Sequence, residues 1–384
     1  MLACRNIYET LRFLFFVSKI FGLAPLRFDL SSSRPDRFAI LWSIFVLCLT
    51  IAFVIYVTSL EVLVQYSVIV EIVETVEEFL ENLISITMIL LMILNRNKIV
   101  NVTKNLSQFD NRIRNVSILP RLRTSNRKIF RFTVAAITMI FFSVALKHII
   151  IFSFVEEKGP NSFLYNARSA ISFFVYSLVL VQFCALTLVL KQKFETLNYH
   201  LLSIDFEIKH NAHKLNSRKL KFVSQLHYHL TNTSFTLNKI FSIPVLLTTL
   251  LQLVILVTAL FFLIESLFIN GDTAAVGLIC QNSADVAFYF ILSSTLIFVS
   301  SRTMEEARKS AIILHVIMTR SLSEETQLSA VNFSLQLMHH CVRFTVSNLF
   351  VIDESLIHSV LATVCAYLVI VIQFELGDKK INHK

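Results

Sequence analysis

Ionisable residues are scarce inside the long apolar stretches of this 384-residue sequence, so those present are the ones placed to do chemistry. Lys147 and His148 stand side by side within the stretch 132–155. A charged side chain in a membrane-buried helix is costly, so it needs a partner or a wet cavity and marks a candidate functional site. Glu81 and Glu265 lie at a suitable depth to partner Lys147, either structurally or around a ligand. Glu71, Glu74, Glu78 and Glu81 recur at spacings of three and four, which puts them on one helix face. That face is either a solvated helix start favoured by the macrodipole or a negative lining that meets cations or a ligand. Asn82, Tyr176, Gln182, Asp285 and Tyr289 fall in the outer halves or near the middle of apolar stretches. Aromatic rings with a few polar groups suit a small-molecule pocket, with interfacial anchoring as the competing explanation. The candidate ligand contacts are therefore Glu81, Asn82, Lys147, His148, Tyr176, Gln182, Glu265, Asp285 and Tyr289.

This is recognition chemistry rather than catalysis. No two of the five glycines have the spacing of a phosphate-cradling loop. The six cysteines are scattered, and nothing has metal-ligand spacing. No enzyme activity, cofactor or metal is expected.

The elements that must hold these residues are long helices. The chain is 55% hydrophobic and 16% charged, with a mean hydropathy of +0.67. Five glycines and five prolines are too few for the turns of a β-rich domain. Seven stretches approach the ~20 residues that cross a bilayer. They are 38–58, 79–94, 132–155, 170–190, 243–268, 286–300 and 356–374. Before them, 8–23 is apolar but interrupted by Arg12 and Lys19, and lacks a cleavage site. It is expected as an amphipathic helix at the membrane surface rather than a signal peptide.

Charge fixes the orientation. The segments 1–37, 95–131, 191–239 and 301–355 carry 29 Lys and Arg, against 5 in the intervening segments and the tail. By the positive-inside rule the N-terminus is cytoplasmic, and seven spans put the C-terminus outside. The net charge of +9 is thereby an orientation signal, and nucleic acid loses its motivation as a partner. The sequons at Asn101, Asn105, Asn115, Asn232 and Asn332 all fall on the cytoplasmic side, where they are chance matches.

The fold class expected is an all-α membrane protein with seven transmembrane helices. Residues 1–300 hold the N-terminal amphipathic helix and a six-helix bundle with an outer ligand pocket. Segments 191–239 and 301–346 keep helical apolar spacing, and 95–131 and 191–239 are expected as cytoplasmic helical extensions. Cytoplasmic anchor helices occupy 301–355, the last membrane helix 356–374, and an extracellular tail 375–384.

The most specific motif lies in that last helix. Residues 366–374 read Ala-Tyr-Leu-Val-Ile-Val-Ile-Gln-Phe. A glutamine at the outer end of an apolar helix is costly against lipid unless it faces a partner or water. Tyr367, five apolar residues, then Gln373 and Phe374 resemble the signature of the insect gustatory receptor family. Ala366 stands where the family usually has threonine. Leu349 to Asp353, with Leu356 and Ile357, also look like the family's approach to its last helix.

The resemblance implies a ligand-gated, non-selective cation channel related in fold to the insect olfactory receptors. It implies a homotetramer, or a heteromer with related subunits, whose pore is lined by the last helix. It also implies a tastant pocket in the outer half of each bundle and residence in the plasma membrane of sensory neurons. Thr363, Ala366, Ile370 and Phe374 share one helix face. Four copies would place apolar rings at Ile370 and Phe374, which gate by dewetting, and Gln373 could turn in to hydrate them. The alternative for this face is ordinary helix packing. The family's sugar branch tends to carry glutamate after the motif tyrosine. Leu368 stands there, which favours a bitter or other non-sugar tastant over a fructose-type ligand. A G-protein-coupled receptor would need the opposite orientation. A transporter would be expected to show glycine-broken spans or internal repeats.

Overall fold

The computed structural model describes residues 6–29, 32–59, 68–113, 119–154, 160–209, 216–268, 273–320 and 322–382. The chain is built from α1 (Ile7–Ile20), a hairpin of β1 (Leu26–Phe28) and β2 (Ser33–Pro35), and α2 (Arg37–Ser59). Then come α3 (Val68–Leu94), α4 (Arg96–Ile113), α5 (Leu119–Phe154), α6 (Pro160–Lys209), α7 (Asn216–Phe268) and α8 (Thr273–Met318). It closes with α9 (Glu324–His339), a hairpin of β3 (Thr345–Val346) and β4 (Phe350–Val351), and α10 (Ser355–Asn382).

Every expected span lies within or along a helix: α2, α3, α5, α6, α7, α8 and α10. Five of these are long and apolar enough to cross a bilayer by themselves: α2, α5, α6, α7 and α8. The pair α3–α4 qualifies as one span bent by 61°. The bend falls at Asn95, where a run of polar residues begins; Lys98 Nζ donates to Asn95 Oδ1 at 2.9 Å and Arg96 Nη1 to the Ile93 carbonyl at 2.9 Å. α10 is apolar over Ser355–Ile370. It continues helically to Asn382, so the tail expected from residue 375 begins as helix.

α6 is the hub. Its apolar window is 94% buried, and it packs against α3, α5, α7 and α8. At 50 residues it is about 75 Å long, well beyond a hydrocarbon core of ~30 Å. α7 and α8 likewise run unbroken past their apolar stretches. Along these extensions the fully buried Lys193 meets Asp110 of α4 at 2.5 Å. α9 is tied to α7 by Ser217 Oγ donating to Glu325 Oε1 at 2.9 Å and Ser224 Oγ to Gln336 Oε1 at 2.7 Å.

α2 is the opposite case. Its buried residues are Ala39, Ser43, Thr50 and Val57, a single narrow stripe. The rest of the helix is exposed apolar surface, including Phe38, Trp42, Phe45 and Ile55.

α1 turns its apolar face inward. Tyr8, Leu11, Leu14 and Phe15 are buried against the bundle, while Phe13, Phe16 and Ile20 look outward. It therefore packs on protein, where the sequence suggested a helix lying on the membrane surface. Its end is a Schellman turn: Leu23 N–H donates to the Ser18 carbonyl at 2.9 Å and Gly22 N–H to Lys19 at 3.1 Å. Gly22 has φ +73°, and a Cβ there would sit 3.1 Å from Val46 of α2, so the turn needs glycine.

The two short hairpins were not expected from the sequence. The β3–β4 turn uses Ser347 (φ 47°) and Asn348 (φ 59°) in the left-handed region. It is clasped by α7: Thr345 N–H donates to Asn238 Oδ1 at 3.0 Å, and Ser347 N–H to Ser242 Oγ at 2.5 Å. This clasp fixes where α10 starts. The five described cysteines are free.

Candidate functional site

Four helices converge on a narrow, half-open cleft with a free volume of about 20 Å³. α3 contributes Glu81. α5 contributes Ser143, Val144, Lys147 and His148. α6 contributes Asn166, Ser169, Ala170 and Phe173, and α8 contributes Asp285 and Tyr289. On α5, α6 and α8 the lining residues recur at three or four, the spacing of one helix face.

Lys147 Nζ lies 3.8 Å from Asp285 Oδ2, joining α5 to α8. The expected partners were Glu81 and Glu265. Sequence depth gives a residue's height in a bundle but not the direction it faces, and α8 is the helix packed against α5 here. Glu81 lines the same cleft, within electrostatic reach of Lys147, and accepts a hydrogen bond from Ser169 Oγ at 3.1 Å. The Glu265 side chain lies outside the described residues.

The aromatic end of the cleft is rigidly built. Tyr176 and Tyr289, both buried, share a hydrogen bond of 2.5 Å between their hydroxyls. Phe173 packs edge-on to both rings, with centroids 5.6 and 6.0 Å away. Such contacts add ~0.5–1.5 kcal/mol each beyond area burial. His148 Nδ1 lies 2.8 Å from the Val144 carbonyl. A carbonyl only accepts, so Nδ1 carries a proton in this contact.

The structure thus brings Glu81, Lys147, His148, Asp285 and Tyr289 to one cleft, with Tyr176 behind Tyr289. Asn82 and Gln182 do not line it. Asn82 Oδ1 accepts from Ser172 Oγ at 3.3 Å in the α3–α6 contact. Gln182 is fully buried in α6, and its amide has no hydrogen-bond partner among the described residues. Ser143, Asn166, Ser169 and Phe173 were missed. Small polar residues are common in helices, and only their three-and-four spacing with the charged positions marks them.

The acidic face of α3 is packed rather than solvated where it is described. Glu78 pairs at 2.6 Å with Arg168 of α6, which is 3% exposed. Glu77 Oε2 accepts from Thr258 Oγ1 of α7 at 2.9 Å. Glu61 and the side chains of Glu71 and Glu74 lie outside the described residues.

On α10, Thr363 donates to the Ser359 carbonyl at 2.8 Å. Ala366, Tyr367, Ile370 and Gln373 are exposed, and the Phe374 side chain is outside the described residues. Val364 is the one buried side chain described on this helix.

Comparison with known proteins bears on the whole chain. Residues 11–378 match the family described as 7tm chemosensory receptor. Gustatory receptor 28b of Drosophila melanogaster is 22% identical over 254 residues, covering 56% of this chain and 54% of that one. Gustatory receptor 28a of the same species is 29% identical over 164 residues, covering 40% and 35%. The chain spans about half the length, or less, of these curated relatives. The fold is similar to that of the insect olfactory receptor OR5 from Machilis hrabei. The TM-score is 0.71 at 13% identity, covering 96% of this chain and all of the other. For the same receptor in complex with eugenol the TM-score is 0.67 at 12% identity, with the same coverage.

Proposed function

The chain belongs to the 7tm chemosensory receptor family, and from that premise we propose that it is a gustatory receptor acting as a ligand-gated, non-selective cation channel. The observation that carries this reading is the meeting of Glu81, Lys147, His148, Asp285 and Tyr289, from three helices, in one cleft against α6. Charged and aromatic groups held together at membrane depth suit the recognition of a small polar molecule. A related fold, olfactory receptor OR5, has been solved in complex with eugenol, which supports carrying a small-molecule site to this chain.

In this reading a tastant enters the cleft and exchanges the Lys147–Asp285 contact for its own hydrogen bonds. Tyr289 and Phe173 supply a flat apolar wall. The ligand is a bitter or other non-sugar compound, with a fructose-type sugar as the second possibility. The receptor sits in the plasma membrane of sensory neurons, with its N-terminus inside.

The pore is formed by α10 from four copies, or from this chain and related subunits. The exposed apolar run through Val369 and Ile370 supports this, because no described residue of the chain covers it. Ile370 and Phe374 form the constriction, and Gln373 hydrates it when the helix turns. Thr363 and Ala366 line the wider part.

The test is voltage clamp of cells expressing the chain, alone or with related subunits, against a panel of sugars and bitter compounds. An active tastant evokes a cation current. Asp285→Asn shifts its half-maximal concentration upward by about tenfold, the loss expected for one charge-assisted contact. An unshifted response in that variant removes the cleft from the account.

A further inference from the structure

A second cleft, with a different chemistry, opens between α7, α8 and the first two turns of α10. Leu253 and Leu256 of α7, Leu296 of α8, and Leu356 and Val360 of α10 form its apolar walls. None of the residues lining it is ionisable, in contrast to the cleft that holds Lys147 and Asp285. One side chain in it is out of place. Gln252 is 2% exposed, lines the cleft, and has its Nε2 amide without a hydrogen-bond partner among the described residues.

The neighbouring hydroxyls do not resolve this. Ser293 Oγ donates to Gln252 Oε1 at 2.8 Å. Thr249 Oγ1 donates to the Val245 carbonyl at 2.6 Å. Turning the Gln252 amide over would only exchange which end is left alone, because Ser293 reaches one end. A buried polar group without a partner costs ~1–3 kcal/mol, so a buried amide donor on a residue that borders an apolar cleft fits an acceptor that comes from outside the chain.

We propose that this cleft is a second binding site, for a small neutral lipophilic molecule carrying one hydrogen-bond acceptor, such as a ketone, ester or ether. The apolar walls take the hydrocarbon part and Gln252 Nε2 donates to the acceptor. With no ionisable residue among its described lining, the cleft suits a neutral occupant, and its membrane depth admits lipophiles from the bilayer. Because Leu356 and Val360 form one wall, an occupant there wedges α10 against α7 and α8 just after the clasped hairpin. Occupancy is therefore coupled to the position of α10, whatever molecule fills the first cleft.

The experiment uses the full chain in lipid nanodiscs and 2-octanone carrying an alkyl diazirine near the far end of its chain. After photolysis, labelled positions are mapped by mass spectrometry. Label is expected on the segments containing Leu253–Leu256 and Leu356–Val360. Unmodified 2-octanone should compete about tenfold better than n-octane, the difference one buried hydrogen bond makes. Gln252→Leu should lower labelling by a similar factor while Asp285→Asn leaves it unchanged. Gln252→Leu removes an unpaired Nε2 but also the acceptor of Ser293 Oγ, so its folding is checked by thermal unfolding, and Val360→Trp, which fills the space from the α10 side, should abolish labelling independently. Equal competition by octane identifies a lipid-chain groove and overturns the proposal. So does full labelling in Gln252→Leu, which would mean the amide is satisfied by water, and so does label confined to the first cleft.

Discussion

Tyr176 and Tyr289 show at the scale of single residues how tightly the first cleft is set. Each buries a phenolic hydroxyl that is hydrogen-bonded to the other, 2.5 Å away. Tyr289→Phe leaves the Tyr176 hydroxyl buried alone and should cost about 2 kcal/mol of stability, whereas replacing both with phenylalanine should recover most of it. Thermal unfolding of the purified single and double variants reads this directly. His227 offers a test outside the membrane. It lies in α7, sixteen residues before the expected span, between the rings of Phe194 and Phe333 at 5.4 and 5.7 Å. Burial lowers its pKa from 6.5 to about 4. Above pH 6.5 the ring is neutral in both folded and unfolded chain and adds no pH dependence. As pH falls from 6.5 to about 4 the unfolded chain takes up the proton and the folded one does not, so stability drops. The drop reaches about 3 kcal/mol below pH 4, and His227→Leu should abolish it in an acid-unfolding series. The residues of the cleft were legible in the sequence because charges stand out in apolar runs: Glu81, Lys147, His148, Asp285 and Tyr289 all do. The Lys147–Asp285 pairing was not, because helix rotation and neighbour choice are tertiary facts.

Helices carry most of the information at the scale of elements. The apolar periodicity of 191–239 and 301–346 predicts helices, and α6 to α9 supply them. The two hairpins were invisible because strands of two or three residues are too short to show alternation. Only Asn348, a residue tolerant of positive φ, hints at the β3–β4 turn. That hairpin joins α9 to α10 and is held by α7. Asn238→Ala removes the acceptor of the Thr345 amide, worth about 1 kcal/mol. Amide exchange at Thr345 should then quicken by about fivefold, with exchange in the middle of α6 unchanged. Equal protection in the variant would mean the hairpin is held by its own ladder.

The whole molecule is a set of helices of very different surroundings, from α6, buried almost throughout, to α10, exposed over most of its described length. A lone chain has no reason to expose the apolar positions Val369 and Ile370 beside Gln373, unless copies or lipid cover them. Composition announced the membrane and the skew of 29 basic residues announced the orientation. Residues 366–374 pointed to the family before the match over 11–378 showed it. What no single sequence carries is which face of α10 looks inward, since that depends on what packs against it. The claim at the centre is that this helix lines a conduction path opened by a small molecule. Single-channel recording of the tastant-evoked current from the chain with glutamine or alanine at position 373 tests it most directly. The account predicts a cation current whose unitary conductance or open probability falls in Gln373→Ala. A tastant response of unchanged unitary conductance and open probability in that variant would contradict it.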